Sequence, residues 1–376
     1  MLSNQPGGDR HRPIESNNHG PSMVVLYLLS LTSSTCTFIW KGISGEICKW
    51  VPKIEFDRLV DSSDQIRQAL WKKKEVREEV HALGVDIGRL LIGSDTGKFL
   101  DLLTSKDGAP VLLAFSSNIP GNVIWESLVV PEQDGPLAVQ PGRPPGVDVI
   151  RVDGVDALRM NRESRLKCLA VWCNSRQRPL MTEDQVELLR QRSKHHSFIA
   201  LRQSTNPTAD ELRSRLRLEC ALFLFAGHGA MSGAVYEIYL RNGAPVAVTQ
   251  LTAELDKSRA QVLVFDSCES GIGDVQTGLP KTFTQLKYAD CLIAMQGPAD
   301  DLISRAYVPE CIEQILIGEP AWRAIGLVRR LVFGRGHDDW FVPVIYLKRN
   351  YRPLEVHENM KDYLESLRKP GAGQSS

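Results

Sequence analysis

The chain lacks several features that would assign it a class at once. It carries no net charge, because 45 Lys and Arg offset 45 Asp and Glu. Nothing in that balance draws it to nucleic acid or to an acidic membrane surface. Its cysteines are Cys36, Cys48, Cys168, Cys173, Cys220, Cys268, Cys291 and Cys311. They include no Cys-x-x-Cys pair, and no Cys/His cluster has zinc spacing, so neither a metal nor another cofactor is expected. Their scatter suits reduced thiols and a cytoplasmic location better than a disulfide framework. No tetratricopeptide or other repeat is present. The nearest approach to a membrane span is residues 24–40, which lack charge. That stretch is short for a span and is interrupted by Ser30, Thr32, Ser33, Ser34, Thr35 and Thr37. It reads as two strands, 24–31 and 35–41, joined by a Thr/Ser turn, with no role at a membrane.

What the chain does have is two short blocks of one design. The first is Ala221-Leu222-Phe223-Leu224-Phe225-Ala226-Gly227-His228-Gly229. The second is Gln261-Val262-Leu263-Val264-Phe265-Asp266-Ser267-Cys268-Glu269-Ser270-Gly271. Each is an apolar run without alternation that enters a turn carrying one reactive side chain. Such runs predict strands buried on both faces of a parallel sheet. In open α/β sheets ligands bind at the carboxyl ends of strands, where His228 and Cys268 fall. About forty residues separate the two, enough for a crossover to a neighbouring parallel strand.

A lone cysteine is most often a small buried hydrophobe, and a lone histidine near a strand end is usually structural. The matched pair is what points to chemistry. A thiol attacks well when a base or positive field ionises it, and a nearby imidazole can protonate a leaving amine. Gly227 and Gly229 allow a sharp turn and a close backbone approach. The N–H groups of Gly229 and Cys268 can point into one space and hold an oxyanion.

Gly227-His228-Gly229 with Asp266-Ser267-Cys268-Glu269-Ser270-Gly271 resembles the His and Cys motifs of caspase-like peptidases. The nearest resemblance is to the CHAT family, and metacaspases carry a similar Asp-Ser-Cys-x-Ser-Gly block. The resemblance covers nearly all of residues 23–350. It implies an α/β caspase-like sandwich: a mostly parallel sheet flanked by helices, with an N-terminal strand and helix subregion. It also implies a cysteine endopeptidase acting on a protein substrate. A separate regulatory or activating protein would gate it, in a defence or cell-death type of pathway. The residues 271–278 are read as a mobile gate. A catalytically silent interaction module of the same fold is the alternative, and a thiol-dependent acyl transferase or amidase is a third reading. Gln296 stands where many relatives have an aromatic residue, which bears on the shape of the cleft.

Asp266 lies two residues before Cys268, so in a strand both face one side. A carboxylate in a partly buried slot asks for a cation. An Arg or Lys at the substrate's P1 position would supply it, as the metacaspase-like block also implies. Asn174, after a neighbouring strand, is a second candidate for that pocket. The other reading is that Asp266 caps a loop amide or fixes His228.

The expected organisation is a disordered leader at 1–22, a strand and helix part at 23–146, a catalytic domain at 147–350 and a polar tail at 351–376. Apolar residues at helical spacing predict helices within 56–103. Lys72-Lys73-Lys74-Glu75 and Arg77-Glu78-Glu79 read as a solvated helix face. Strands are expected at 111–115 and 124–128, with Glu126 a structural hydrogen-bonding residue rather than a catalytic one. Beyond a Pro/Gly-rich loop at 131–146, strands are expected at 166–172 and 198–201. A helix is expected at 183–192, and another opens at a Thr208 cap. A hairpin turns at Asn242-Gly243, its strands at 236–240 and 247–250. A helix at 251–257, a strand at 290–295, helices at 301–317 and 321–333 and a closing strand at 340–347 follow. One further helix is expected at 358–367. His195, His196 and His337 are read as exposed residues without metal partners.

Overall fold

Leu222–Ala226 and Val262–Asp266 are strands, and every residue in both is buried, as continuous apolar runs require when helices cover both faces of a sheet. The computed structural model describes residues 22–348 together with 354–355. Within that span, 43, 105–110, 117–118, 120–121, 141–146, 154–160, 163–165, 174–186, 188–189, 192–198, 275, 299–300 and 317–318 are not described.

In chain order the strands of three or more residues are β1 (Ser22–Leu31), β2 (Thr35–Gly42), β3 (Gly45–Pro52), β4 (Val111–Ser116), β5 (Val147–Asp153), β6 (Leu166–Trp172) and β7 (Ile199–Thr205). They continue with β8 (Leu222–Ala226), β9 (Gly229–Ser232), β10 (Val235–Tyr239), β11 (Pro245–Ala247), β12 (Val262–Asp266), β13 (Cys291–Met295) and β14 (Pro343–Lys348). Among the described residues eleven strands make one sheet, ordered β3-β2-β1-β4-β5-β14-β13-β12-β8-β6-β7. The strands from β13 to β7 run parallel to one another. So do β14, β5, β4 and β1. The two blocks meet antiparallel at β13 and β14. The strand expected to close the sheet therefore joins its halves from the middle. β9, β10 and β11 form a small antiparallel sheet of their own.

The helices are α1 (Lys53–Trp71), α2 (Arg77–Leu91), α3 (Thr96–Leu102), α4 (Ala209–Leu216), α5 (Thr252–Ser258), α6 (Gly278–Gln285), α7 (Asp301–Leu316) and α8 (Ala321–Gly334). One apolar cluster packs α4, α5 and α6 on β6, β8, β12 and β13 through Leu212, Leu255, Phe283, Phe223 and Phe265. The other covers the opposite face with α7 and α8 and continues through α1, α2 and α3. The result is an α/β sandwich around a large, mostly parallel sheet, the expected class.

Local chemistry sets several boundaries. Thr208 accepts the Glu211 N–H, while the Glu211 carboxylate accepts the Thr208 N–H, a capping box at the start of α4. Asn242 and Gly243 both have positive φ, 60° and 74°, and turn the chain between β10 and β11. β11 is Pro245–Ala247, and residues 248–251 are a short 3₁₀ turn rather than the expected strand. Lys72, Lys73, Lys74 and Glu75 form the exposed break between α1 and α2, not a helix face. Residues 124–128 are also not a strand. Trp125–Ser127 is a buried 3₁₀ turn, and α2 seats it with two glycines. A Cβ on Gly84 would lie 1.9 Å from the Ser127 carbonyl oxygen, and one on Gly88 would lie 1.9 Å from that of Val129. β3 and α6 have no counterpart in the sequence reading. The leader up to residue 21, the helix at 358–367, His195, His196 and Asn174 lie outside the described residues, as does most of the helix at 183–192.

Candidate active site

β8 and β12 are neighbours, paired in parallel from Val262 opposite Leu222 to Asp266 opposite Ala226. The Gly227 N–H donates to the Asp266 carbonyl at 3.1 Å and extends the ladder by one residue. His228 and Cys268 each stand two residues beyond that last paired row. Adjacent strands are about 5 Å apart, so the two residues leave the sheet side by side at its carboxyl edge. Both are partly exposed where the strands beneath them are buried.

The turn that carries Cys268 is held at every residue. The Ser270 N–H donates to the Ser267 carbonyl at 3.3 Å, and the Ile272 N–H to the Glu269 carbonyl at 3.0 Å. Glu269, the variable position of the block, has φ 61° and donates its N–H to the Gly297 carbonyl. The Ser270 hydroxyl donates to the Phe265 carbonyl at 3.0 Å and accepts the Met295 N–H at 2.8 Å, which stitches β12 to β13. Gly271 donates its N–H to Met295 at 2.6 Å, and a Cβ there would fall 2.4 Å from Val344 Cγ2. The Ser, Ser and Gly of the block thus have structural reasons around the thiol.

Tyr236, on β10, links the two blocks. Its buried hydroxyl lies 2.7 Å from Ser267 Oγ and donates to the Cys268 carbonyl at 2.9 Å. β10 is itself tied to the histidine, since the Tyr239 N–H donates to the His228 carbonyl at 3.0 Å. That bond makes Gly229 opposite Ile238 a non-hydrogen-bonded pair, so the Gly229 N–H points away from β10. A Cβ on Gly229 would sit 2.0 Å from the Tyr236 hydroxyl, so glycine here also makes room for the phenol.

Asp266 ends β12 and is 4% exposed, deeper than the partly buried slot expected for it. It shares a row of the sheet with Ala226 and Trp172, on the same face. Burial pushes the Cys173 thiol up to about 12, a value at odds with a reactive group, and likewise those of Cys168 and Cys311. None of the eight cysteines forms a disulfide. Among the described residues no group of three or more His, Cys, Asp or Glu is placed to hold a metal, and no helix is long and apolar enough to cross a membrane.

Gln296 is fully buried and does not line a cleft. Its side-chain amide donates to Glu126 Oε2 at 2.9 Å and to the Phe341 carbonyl at 2.7 Å. Glu126 is likewise buried, between Arg151 at 3.3 Å and Arg329 at 3.4 Å, in the structural role expected of it. Burial acts to raise its carboxyl pKa, but Arg151 and Arg329, with the Gln296 amide, hold it below the usual range. Sequence reading missed Tyr236, Tyr346 and the arginines, which reach the site only through long-range packing.

No protein-family model matches the chain, and no curated protein matches its sequence. Solved structures do. Separase of Saccharomyces cerevisiae, in its complex with securin, aligns with a TM-score of 0.51 at 12% identity, over 89% of this chain and 30% of that one. The Arg-specific cysteine proteinase gingipain R (RgpB) of Porphyromonas gingivalis aligns at 0.47 with 9% identity, over 74% and 75% of the two chains. The Drosophila initiator caspase Dronc aligns at 0.36 with 12% identity, over 54% and 94%. The chain shares its fold with separase.

Proposed function

We propose that the protein is a cysteine endopeptidase in which Cys268 is the nucleophile and His228 moves the proton. The observation that carries this reading is the register of β8 and β12, which brings both residues to one edge of the sheet at the same height. The Cys268 thiolate attacks the scissile carbonyl carbon. The N–H groups of Gly229 and Cys268 hold the oxyanion, the first of them turned out of its ladder. Collapse expels the amine, protonated by His228. Water then cleaves the thioester, releasing the carboxylic acid and restoring the thiol.

The substrate is a protein with Arg or Lys at P1. Asp266 and Trp172 flank Ala226 on one face of the sheet, so a small side chain separates a carboxylate from an indole. A guanidinium brought to this edge would pair with the Asp266 carboxylate, which is 4% exposed and has to be uncovered to receive it. Activity is gated by a separate protein, in a defence or cell-death type of pathway.

The test is reaction with a peptidyl acyloxymethylketone bearing Arg at P1, with the adduct mapped by mass. Labelling of Cys268 is expected, lost in both Cys268→Ala and His228→Ala with folding retained. Proteolysis surviving in Cys268→Ala refutes the assignment. Profiling a P1 library on wild type and Asp266→Ala tests the pocket. A preference for Leu or Asp, or an unchanged Arg preference in the variant, removes Asp266 from this role.

A further inference from the structure

Behind the Cys268 turn lies a buried polar network that the proposed chemistry does not use. Tyr346, on β14, donates its hydroxyl to the Gly271 carbonyl at 3.0 Å. That hydroxyl accepts from Arg151 Nη1 at 2.9 Å, and the guanidinium also lies 5.4 Å above the tyrosine ring. Arg151 and Tyr346 are paired across β5 and β14, so the contact follows from strand register. Arg151 Nη2 donates to Gln296 Oε1 at 2.8 Å, and Gln296 in turn holds Glu126. Arg329 closes the set on Glu126 and donates to the Val149 and Pro343 carbonyls.

All five side chains are buried. A network of one carboxylate and two guanidiniums is a poor source of stability, because desolvating the charges offsets their attraction, and apolar replacements of equal volume often do as well. What it provides is geometry. Gly271 is caught between the Met295 carbonyl, which accepts its N–H, and the Tyr346 hydroxyl, which binds its carbonyl. Gly271 lies three residues from Cys268, in the same pair of turns.

We propose that Tyr346 is a positioning residue: fixed by Arg151, it holds the Gly271 carbonyl and so sets the orientation of the turn that presents Cys268. In its link to activity this rests on the peptidase reading of Cys268. The N-terminal half of the sheet thereby contributes to the site without touching substrate, since Arg151 and Glu126 come from β5 and the turn after β4.

Tyr346→Phe in the full chain tests it, because phenylalanine keeps the packing and removes only the hydroxyl. Three quantities are measured. They are the rate of inactivation by the peptidyl acyloxymethylketone, the rate of Cys268 alkylation by iodoacetamide, and amide exchange in a peptide covering 267–273. The peptidyl probe needs the thiol aimed at its carbonyl, whereas iodoacetamide needs only an exposed thiol. The ratio of the two rates is expected to fall about tenfold or more, and exchange in 267–273 to quicken by a similar factor. Arg151→Lys, which keeps the charge but not the fork, should move both in the same direction. A lowered melting temperature with an unchanged ratio and unchanged exchange would overturn the proposal. If the wild type ignores the peptidyl probe, the peptidase reading fails separately, and the exchange of 267–273 still decides the role of Tyr346.

Discussion

Tyr236→Phe removes one oxygen atom and, with it, both bonds that join the β10 strand to the Cys268 turn. Each bond contributes about 1 kcal/mol net, and a polar partner left buried and unsatisfied costs about 1–3 kcal/mol more. Ser267 is 2% exposed, so its hydroxyl cannot recover the loss from solvent. The expected destabilisation is about 2–4 kcal/mol, read from urea denaturation followed by circular dichroism. A double-mutant cycle with Ser267→Ala separates the contact from general damage. Removing both partners of one bond is cheaper than the sum, so a coupling of about 1 kcal/mol is expected. Gly229→Ala supplies an independent check, because its Cβ would displace the phenol by steric force alone. Once the ring has left, the hydroxyl no longer matters, so Gly229→Ala with Tyr236→Phe should be little worse than Gly229→Ala. Additivity within about 0.5 kcal/mol in both cycles would refute the linkage between the two blocks.

Two further outcomes follow from other parts of the fold. Burial raises the Asp148 carboxyl from 3.8 to about 6, although Arg330 at 2.9 Å acts to lower it. The folded state therefore holds this proton more tightly than the unfolded chain. The stability it confers is present below about pH 4 and lost as pH rises through about 6, a change of roughly 3 kcal/mol. Asp148→Asn should gain on the wild type by that order between pH 4 and 7 in urea titrations, and a constant difference would show that Asp148 titrates normally. Gly84→Ala places a methyl 1.9 Å from the Ser127 carbonyl oxygen, where backbone must move. A loss of about 1–3 kcal/mol is expected by thermal denaturation, and a neutral variant would mean that α2 shifts freely.

The strands that carry His228 and Cys268 were legible because central strands of a parallel sheet have no polar face and announce themselves as apolar runs. The Thr208 cap and the Asn242-Gly243 turn were legible because their chemistry is local. β3 was not, because as an edge strand it is exposed along one side, with Glu46, Cys48 and a Trp50 that is 79% exposed. The turn around Trp125 reads as a strand because burial on all sides gives it the same apolar composition. α6 hides behind Gly278 and Pro280, which suggest only loop. Tyr236 meets Ser267 from 31 residues away and Tyr346 meets Gly271 from 75, and no pattern in either segment encodes such a meeting.

The central place of β14 has a consequence for how the molecule comes into being. β5 needs β14 as a neighbour, yet about 190 residues must be added after it before that neighbour exists, roughly 10–40 s at ordinary rates of synthesis. Through that interval the nascent chain offers an open strand edge at β5, and over roughly its last 50 residues a second at β13, each ready to pair with whatever is near. Tyr346 arrives on the same late strand, so the Cys268 turn cannot take its final seating until the sheet is joined. On the proposed reading of Cys268, its thiol is thus withheld from its working geometry until β14 is in place.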